Sequence, residues 1–334
     1  MPIKIGINGF GRIGRYFLRL VANDPELQVV VINARADNEN IARLFKYDSV
    51  HRTFQGEVSY NDDGIIINGR HISVSRAPIG EWPWKQFGVD VVMDCSGALR
   101  TGEGLAKHIE CGAKKVVLSA PGTGVDITFV MGVNDHLYDP EKHNIISNAS
   151  CTTNCLAPAV KALHESFGIK HGLITTIHSY TMGQRLLDGT SKDPRRGRAA
   201  ALSMLPTTTG AARAIALVMP ELEGKLDGTA IRVPTPNVSL VDLTCDLLKS
   251  ATSTEEVNSA LKEAANTNLK GILGFNEEPL VSCDYIGTPH AGIVDALSTK
   301  VIDKNLLKLI VWYDNESGFS SQMVRLLRMI AKAM

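Results

Sequence analysis

Apolar residues fall in short runs or alternate at residues 3–8, 28–33, 89–94, 115–119 and 144–147. Between these runs, residues 12–22 and 101–111 carry apolar positions at helical spacing. Such alternation of β and α periods predicts a mainly parallel, doubly wound α/β sheet for the first half of the chain. Residues 64–75 break the rhythm, because two strand-like runs flank Asn68-Gly69, the signature of a hairpin turn. The second half reads differently. Strand patterns at residues 173–179, 228–234, 238–248 and 306–313 predict one mixed or antiparallel sheet, with amphipathic helices at 253–265 and 317–333. Helical spacing also follows residue 151, but Pro158 lies within it. A proline there removes one backbone bond at about 3 kcal/mol, so the expectation is a kink or a helix that begins later than Thr152.

Composition narrows the function more than the fold. At about 150 residues per domain, the 334 residues predict two domains, and a 44% hydrophobic content supplies a sizeable core. Lys plus Arg balance Asp plus Glu at 35 each, so no nucleic acid or anionic membrane surface is expected as a partner. The six cysteines lie at 95, 111, 151, 155, 245 and 283, without a zinc-type pattern, so no metal is expected. A chain of this size does not depend on disulfides, and a reducing, cytoplasmic location is expected. Met1-Pro2-Ile3-Lys4 leads straight into a strand pattern with no signal-peptide core, and no run approaches the ~20 apolar residues of a membrane span.

Between the first strand and the first helix stand Gly9, Gly11 and Gly14, a G-x-G-x-x-G pattern. Alone it is weak in a chain with 29 glycines; here a strand precedes it, a helix follows, and a second strand comes next. That context predicts a Rossmann dinucleotide site: a tight turn at Gly9, close approach to a pyrophosphate at Gly11, and helix-on-strand packing at Gly14. Ser96-Gly97 and Ser119 follow strand carboxyl ends, the edge where such sheets bind ligands. At the end of the second strand, the acid that usually accepts the NAD ribose hydroxyls is replaced by Ala34, with Arg35 next. An arginine forks onto a 2′-phosphate that an acid would repel. Arg35 as a solvated surface charge is the alternative.

The segment Ser150-Cys151-Thr152-Thr153-Asn154-Cys155 delivers Cys151 to the start of a helical stretch. Free N–H groups and the helix dipole favour a thiolate there, and His178 at the end of a strand offers a base. Cys155, followed by apolar residues, reads as inert core.

Six motifs then carry a resemblance over essentially the whole chain. They are Asn8 to Arg15, Lys46 to His51, Ser150 to Cys155, Thr207 to Ala212, Arg232 to Asn237, and Trp312 to Glu316. In this order they resemble phosphorylating glyceraldehyde-3-phosphate dehydrogenase. The resemblance implies a nucleotide domain over residues 1–149, completed by the C-terminal helix 316–334, and a catalytic domain over 150–315. It also implies a homotetramer in which a loop near residues 180–200 lines a neighbour's cofactor site. By position, Cys151 corresponds to the nucleophile and His178 to the base. Ser150, Thr152, Thr181, Arg196, Thr209, Gly210 and Arg232 correspond to positions around substrate and inorganic phosphate. Arg12, Ile13, Arg76, Ser119 and Asn315 correspond to cofactor contacts.

Four departures stand out: Ala34 for the acid, Gly189-Thr190 for a Leu-Pro pair, Met182-Gly183 where an Asp follows the threonine in bacterial-type members, and Phe319 for Tyr. The first two point to NADP, preferred over NAD. The expected chemistry is a Cys151 hemithioacetal and thioester, with His178 resting as the charged half of an ion pair. Related cysteine-dependent reductases acting on aspartate semialdehyde or erythrose 4-phosphate are rivals, as is a scaffold protein without turnover. The threonine-glycine motif at 207–212 and Arg232 argue against the two reductases, and the Cys151/His178 pair argues against the scaffold.

Overall fold

The computed structural model describes residues 2–334. They form two compact units: residues 2–129, 135–150 and 320–334 in one, and residues 130–134 and 151–319 in the other.

The first unit holds β1 (Ile3–Asn8), α1 (Arg12–Val21), β2 (Leu27–Asn33), α2 (Asn38–Lys46), β3 (Val58–Tyr60), β4 (Gly64–Ile67) and β5 (Arg70–Ser75). It continues with α3 (Trp84–Phe87), β6 (Val91–Asp94), α4 (Gly102–Glu110), β7 (Lys115–Leu118), β8 (Ile127–Thr128) and β9 (Ile145–Ser147). The nine strands form one sheet in the order β3-β4-β5-β2-β1-β6-β7-β9-β8. From β5 to β8 every pairing is parallel. Every residue of β6 and β7 is buried, as expected of parallel strands covered on both faces. β4 and β5 form the expected hairpin, with Asn68 and Gly69 both at positive φ (49° and 78°). α4 starts at Thr101, whose side chain accepts from the Gly104 N–H, and the sequence bounds for it differ by one residue at each end.

The second unit contains α5 (Cys151–Phe167), β10 (Ile169–Ser179), β11 (Leu205–Thr208), α6 (Ala211–Val218), β12 (Leu226–Val233) and β13 (Ser239–Leu247). After these come α7 (Thr254–Asn266), β14 (Leu273–Asn276), β15 (Gly292–Asp295), β16 (Lys300–Ile302), β17 (Leu306–Tyr313) and the start of α8 (Ser317–Ala333). Its sheet runs β11-β12-β10-β13-β17-β15-β14, with β16 on β17. The sheet is mixed: β10·β12 and β14·β15 are parallel, the remaining pairs antiparallel. β13 alternates buried and half-buried residues along its length, the period-2 pattern of a strand with unlike faces.

One expectation fails here. α5 does not begin after Thr152; it is helical from Cys151 and carries Pro158 inside. Most of α5 is buried, and it packs on β10, β13, β15 and β17. Such burial stabilises a helix by more than one missing bond destabilises it. Cys151 is thereby fixed in the first turn.

Candidate active site

α5 and β10 bring the two central residues together. The Cys151 sulfur lies 3.5 Å from His178 Nε2. β12 adds a third group, because His178 and Arg232 are direct register partners across the parallel β10·β12 pair. Arg232 Nη1 sits 2.6 Å from His178 Nδ1 and donates to the Ser179 carbonyl at 2.7 Å. His178 Nδ1 is also 2.8 Å from that carbonyl. From β17, Tyr313 meets His178 edge to face, with ring centroids 5.9 Å apart. Its hydroxyl bridges Thr152 Oγ1 at 2.9 Å and Thr176 Oγ1 at 3.0 Å, and burial holds the phenol well above its usual range.

Burial opposes the expected resting ion pair. Burial, followed by the adjacent Arg232 charge, takes His178 down to about 3. Burial also pushes the Cys151 thiol up, against the pull of Arg232 and the Thr152 hydroxyl and N–H. Both effects work against the charged forms, whereas the 3.5 Å approach of sulfur to imidazole works for them. Cys151 still differs from its fellow cysteines. Burial takes Cys95 and Cys245 each to about 12, and Cys155 is fully buried in α5. None of these three lies within bonding distance of a histidine nitrogen.

The candidate phosphate residues differ in what already holds them. Arg196 lies in a short helical turn, donating to Thr207 Oγ1 through Nη2 at 2.9 Å. Thr207 follows closely on Leu205, the β11 partner of Arg232. Arg196 and Arg232 are thus close enough for their charges to oppose one another. Thr209 accepts from the Ala211 N–H, and Gly210 begins α6 with open space beside its α-carbon. Thr181 is exposed, and its N–H donates to Gln184 Oε1 at 3.2 Å. Thr152 is different: its buried hydroxyl lies between Tyr313 and the Cys151 sulfur, so the residue supports the nucleophile rather than offering an open donor. Ser150 is half-buried and directly precedes α5. Thr207 and Tyr313 were missed as site residues in the sequence, although both stand inside quoted motifs. Their only signal was a polar residue in strand-forming surroundings.

Asn315 is buried after β17, and its side-chain oxygen accepts from Ser239 Oγ at 2.9 Å. That bond fixes the amide's orientation. Phe319 is buried in the first turn of α8.

The nucleotide cradle belongs to the first unit. Gly9 has φ of +93°, a conformation that suits glycine, and its N–H bonds the Asn33 carbonyl. A side chain on Gly14 would collide with the Gly9 carbonyl, whereas a side chain on Gly11 would meet no protein atom within 4 Å. Gly11 therefore faces open space, as a turn built for pyrophosphate requires. No side chain caps α1 there, leaving its N-terminal dipole to an anion. Ile13 lies in the first turn of that helix. Arg12 pairs with Asp48 at 2.6 Å. Although burial opposes it, the His51 N–H and the Arg12 guanidinium hold the Asp48 carboxyl down to about 2.

Across the strand ends a buried polar chain links Asn33 to Asn8 at 3.0 Å and Asn8 to Asp94 at 2.9 Å. Asp94 accepts from Ser96 through both its N–H and hydroxyl, which fixes the loop at Ser96-Gly97. Behind it, Trp84 Nε1 donates to His108 Nδ1 at 2.9 Å, so His108 Nε2 carries the proton it gives Asp94 at 3.0 Å. Ser119 follows β7, its N–H bonded to the Asp94 carbonyl. Where a ribose acid is absent, Ala34 is half-buried and Arg35 exposed. The nearest carboxylate along the chain, Asp37, is occupied as the cap of α2. Arg76 reaches over this end of the sheet, bonding the Ala36 carbonyl at 2.7 Å and Asn38 Oδ1 at 2.8 Å.

Comparison with known proteins agrees with both halves of this picture. The family model "Glyceraldehyde 3-phosphate dehydrogenase, NAD binding domain" matches residues 3–102, and the corresponding C-terminal domain model matches residues 150–315. The chain is 55% identical over 332 residues to a glyceraldehyde-3-phosphate dehydrogenase of Geobacillus stearothermophilus, covering 99% of both chains. It is 54% identical over 334 residues to glyceraldehyde-3-phosphate dehydrogenase 1 of Bacillus subtilis, again covering 99% of both. A third relative, glyceraldehyde-3-phosphate dehydrogenase 2 of a Nostoc species, is 50% identical over 334 residues and 99% of each chain. With the glycine cradle, the Cys151/His178 pair and full-length identity in agreement, the chain belongs to the glyceraldehyde 3-phosphate dehydrogenase family.

Proposed function

We propose that this chain catalyses the reversible phosphorylating oxidation of D-glyceraldehyde 3-phosphate to 1,3-bisphosphoglycerate. The observation that carries this reading is the 3.5 Å approach of Cys151 to His178 with Arg232 in register beside it. His178 takes the thiol proton, and the thiolate adds to the aldehyde carbon to give a hemithioacetal. The Cys151 backbone N–H, at the start of α5, and the protonated imidazole stabilise the developing oxyanion, which takes the imidazolium proton to become the hemithioacetal hydroxyl. His178, neutral again, then accepts that hydroxyl proton as the carbon is oxidised to a thioester. A nicotinamide, when bound, supplies the hydride acceptor, and Asn315 is the residue we assign to hold its carboxamide. An oxygen of inorganic phosphate attacks the thioester carbon, the C–S bond breaks, and Cys151 leaves as thiolate. Arg196, with Thr207 and Thr209, and Arg232, with Thr181, suit two phosphate subsites, because guanidinium forks match tetrahedral oxyanions. Ser150 and Gly210 complete the first of these.

Gly9, Gly11, Gly14, Arg12, Ile13, Arg76, Ser96, Gly97 and Ser119 are proposed to bind the dinucleotide. NADP is the preferred form: Ala34 removes the repelling acid, Arg35 is exposed, and the nearest carboxylate along the chain, Asp37, is taken up in capping α2. The working assembly is a homotetramer in the cytoplasm, and Gly189-Thr190 on the exposed 180–200 loop leaves room for the larger cofactor of a neighbour. Initial rates with NAD and NADP side by side, with and without inorganic phosphate, test this. Product formation independent of phosphate would overturn the phosphorylating reaction. Equal or better use of NAD would overturn the cofactor preference alone.

A further inference from the structure

Three segments of the second unit meet where its sheet ends. Ser179 closes β10, Ser239 opens β13, and Asn315 lies two residues past Tyr313, the β17 partner of Ser239. All three side chains are buried. The Ser179 N–H donates to Ser239 Oγ at 3.1 Å, and Ser239 Oγ donates to Asn315 Oδ1 at 2.9 Å. A serine hydroxyl has one proton and two lone pairs. Ser179 fills one lone pair of Ser239, and the hydroxyl proton has no acceptor among the described residues except Asn315. The amide oxygen is therefore the end turned toward Ser239. Asn315 Nδ2 is left with two N–H donors that no described residue accepts.

The bend that places Ser239 is strained. Val238 has φ of +65°, a left-handed conformation that a β-branched residue rarely takes. Its side chain is buried with Tyr285 and Ile293, and its carbonyl accepts from the Ser179 hydroxyl at 2.7 Å. Ser179 thus grips the bend twice, through its hydroxyl and through its N–H. Strain of this kind persists only where the surroundings impose it, and it clusters at pre-organised sites.

We propose that Ser239 is a positioning residue for the cofactor: it locks the Asn315 amide so that a donor, and not the amide oxygen, is offered to the carboxamide oxygen of the nicotinamide. The inference rests on the assignment of Asn315 to the nicotinamide and deepens it. An unlocked asparagine turns about its last torsion and offers either end. A locked one has already met the ordering cost of binding. Ser179 directly follows His178, so the same residue ties the amide to the strand that carries the proposed base.

The test separates nicotinamide recognition from recognition of the rest of the dinucleotide. Calorimetric titration of the full-length protein gives affinities for NADP and for 2′-phospho-ADP-ribose, which is NADP without its nicotinamide. NAD and ADP-ribose, measured alongside, give the same comparison without the 2′-phosphate. Ser239→Ala should weaken binding of NADP and NAD by about 3- to 10-fold, the worth of one neutral hydrogen bond, and leave the nicotinamide-free ligands unchanged. Ser239→Cys, close to serine in size but only a weak donor, should show the same loss without opening a cavity. Asn315→Ala should match them, and Ser239→Ala should add nothing in the Asn315→Ala background. Equal loss on all four ligands, or an undiminished effect of Ser239→Ala once Asn315 is removed, overturns the lock and leaves Ser239 a structural residue. So does unchanged NADP and NAD binding in both Ser239 variants while Asn315→Ala weakens it. If Asn315→Ala itself spares NADP and NAD, the nicotinamide assignment falls together with the lock.

Discussion

The two units do their chemistry with different parts of the chain. In the first, the work falls to backbone: a left-handed Gly9, an open Gly11, a helix N-terminus without a side-chain cap, and strand ends tied by a buried Asn33–Asn8–Asp94 chain. In the second, side chains from separate strands and a helix meet at one point, and register decides which of them touch. A backbone site tolerates changes of side chain but not added atoms at its glycines. A side-chain site tolerates neither a change of residue nor a change of register. This contrast makes different substitutions informative in each unit.

The most severe break should come at Cys151. Cys151→Ser should lower kcat by on the order of 10⁴-fold or more, as loss of a nucleophile does elsewhere. Iodoacetamide should abolish activity in step with Cys151 labelling, followed by peptide mass, while labelling of the exposed Cys283 leaves it intact. Activity surviving complete Cys151 modification would sink the mechanism. Arg232→Ala ranks next. Loss of a buried charge-assisted contact is expected to lower kcat/KM for glyceraldehyde 3-phosphate by about 2–4 kcal/mol. Unphosphorylated glyceraldehyde should lose far less, and equal losses on both substrates would point to damaged folding instead.

Within the backbone site, Gly11→Ala and Gly14→Ala sharpen the contrast. Gly14→Ala forces a carbon onto the Gly9 carbonyl and should lower stability by about 1–3 kcal/mol, read as a denaturant midpoint. Gly11→Ala meets only open space in the protein, so stability should hold while dinucleotide affinity falls. If both variants lose stability alike, Gly11 does not face a ligand. Ala34→Asp should then shift preference from NADP to NAD by about 10- to 100-fold, the equivalent of ~1.5–3 kcal/mol for one charge-assisted bond. Arg35→Ala should impair NADP alone, and no change in the ratio of kcat/KM values would remove both residues from ribose recognition.

The smallest effect concerns Asp48. Its carboxyl is held at about 2 in the folded chain, below the usual ~3.9 of an unfolded aspartate. Its contribution is therefore complete above about pH 4 and disappears as pH falls toward 2. Solvent access to Arg12 limits the effect to about 1 kcal/mol. Asp48→Asn should remove that part of the acid dependence, and unchanged acid unfolding would show the pair to be energetically silent.

Legibility in the sequence followed the same division. The glycine cradle and the β/α alternation depend on spacings within about thirty residues, and the strand and helix bounds there differ by only a residue or two. The meeting of His178 with Arg232 depends on a strand pairing between residues 54 apart, which no local pattern encodes. The motifs supplied both residues through resemblance, yet not their contact. The burial that pulls His178 down, against the charged form expected for it, is a tertiary quantity that no local pattern carries. Pro158 misled in a similar way: local propensity argued against a helix from Cys151, and packing of the buried stretch overrode it. α2 and α6 escaped notice, both being short elements of eight or nine residues.

The His178–Arg232 register has a consequence for how such a chain can diverge. Side chains alternate faces along a strand, so inserting or deleting one residue in β12 ahead of Arg232 would turn its guanidinium to the opposite side of the sheet. Length variation is therefore barred from β10 and β12, even where the inserted residue itself would be harmless. The exposed stretch between β10 and β11, tied to no strand ladder, carries no such restriction on its length. Change at the His178–Arg232 pair must proceed by substitution alone, whereas the loop can change length wherever Thr181 and Arg196 keep their places.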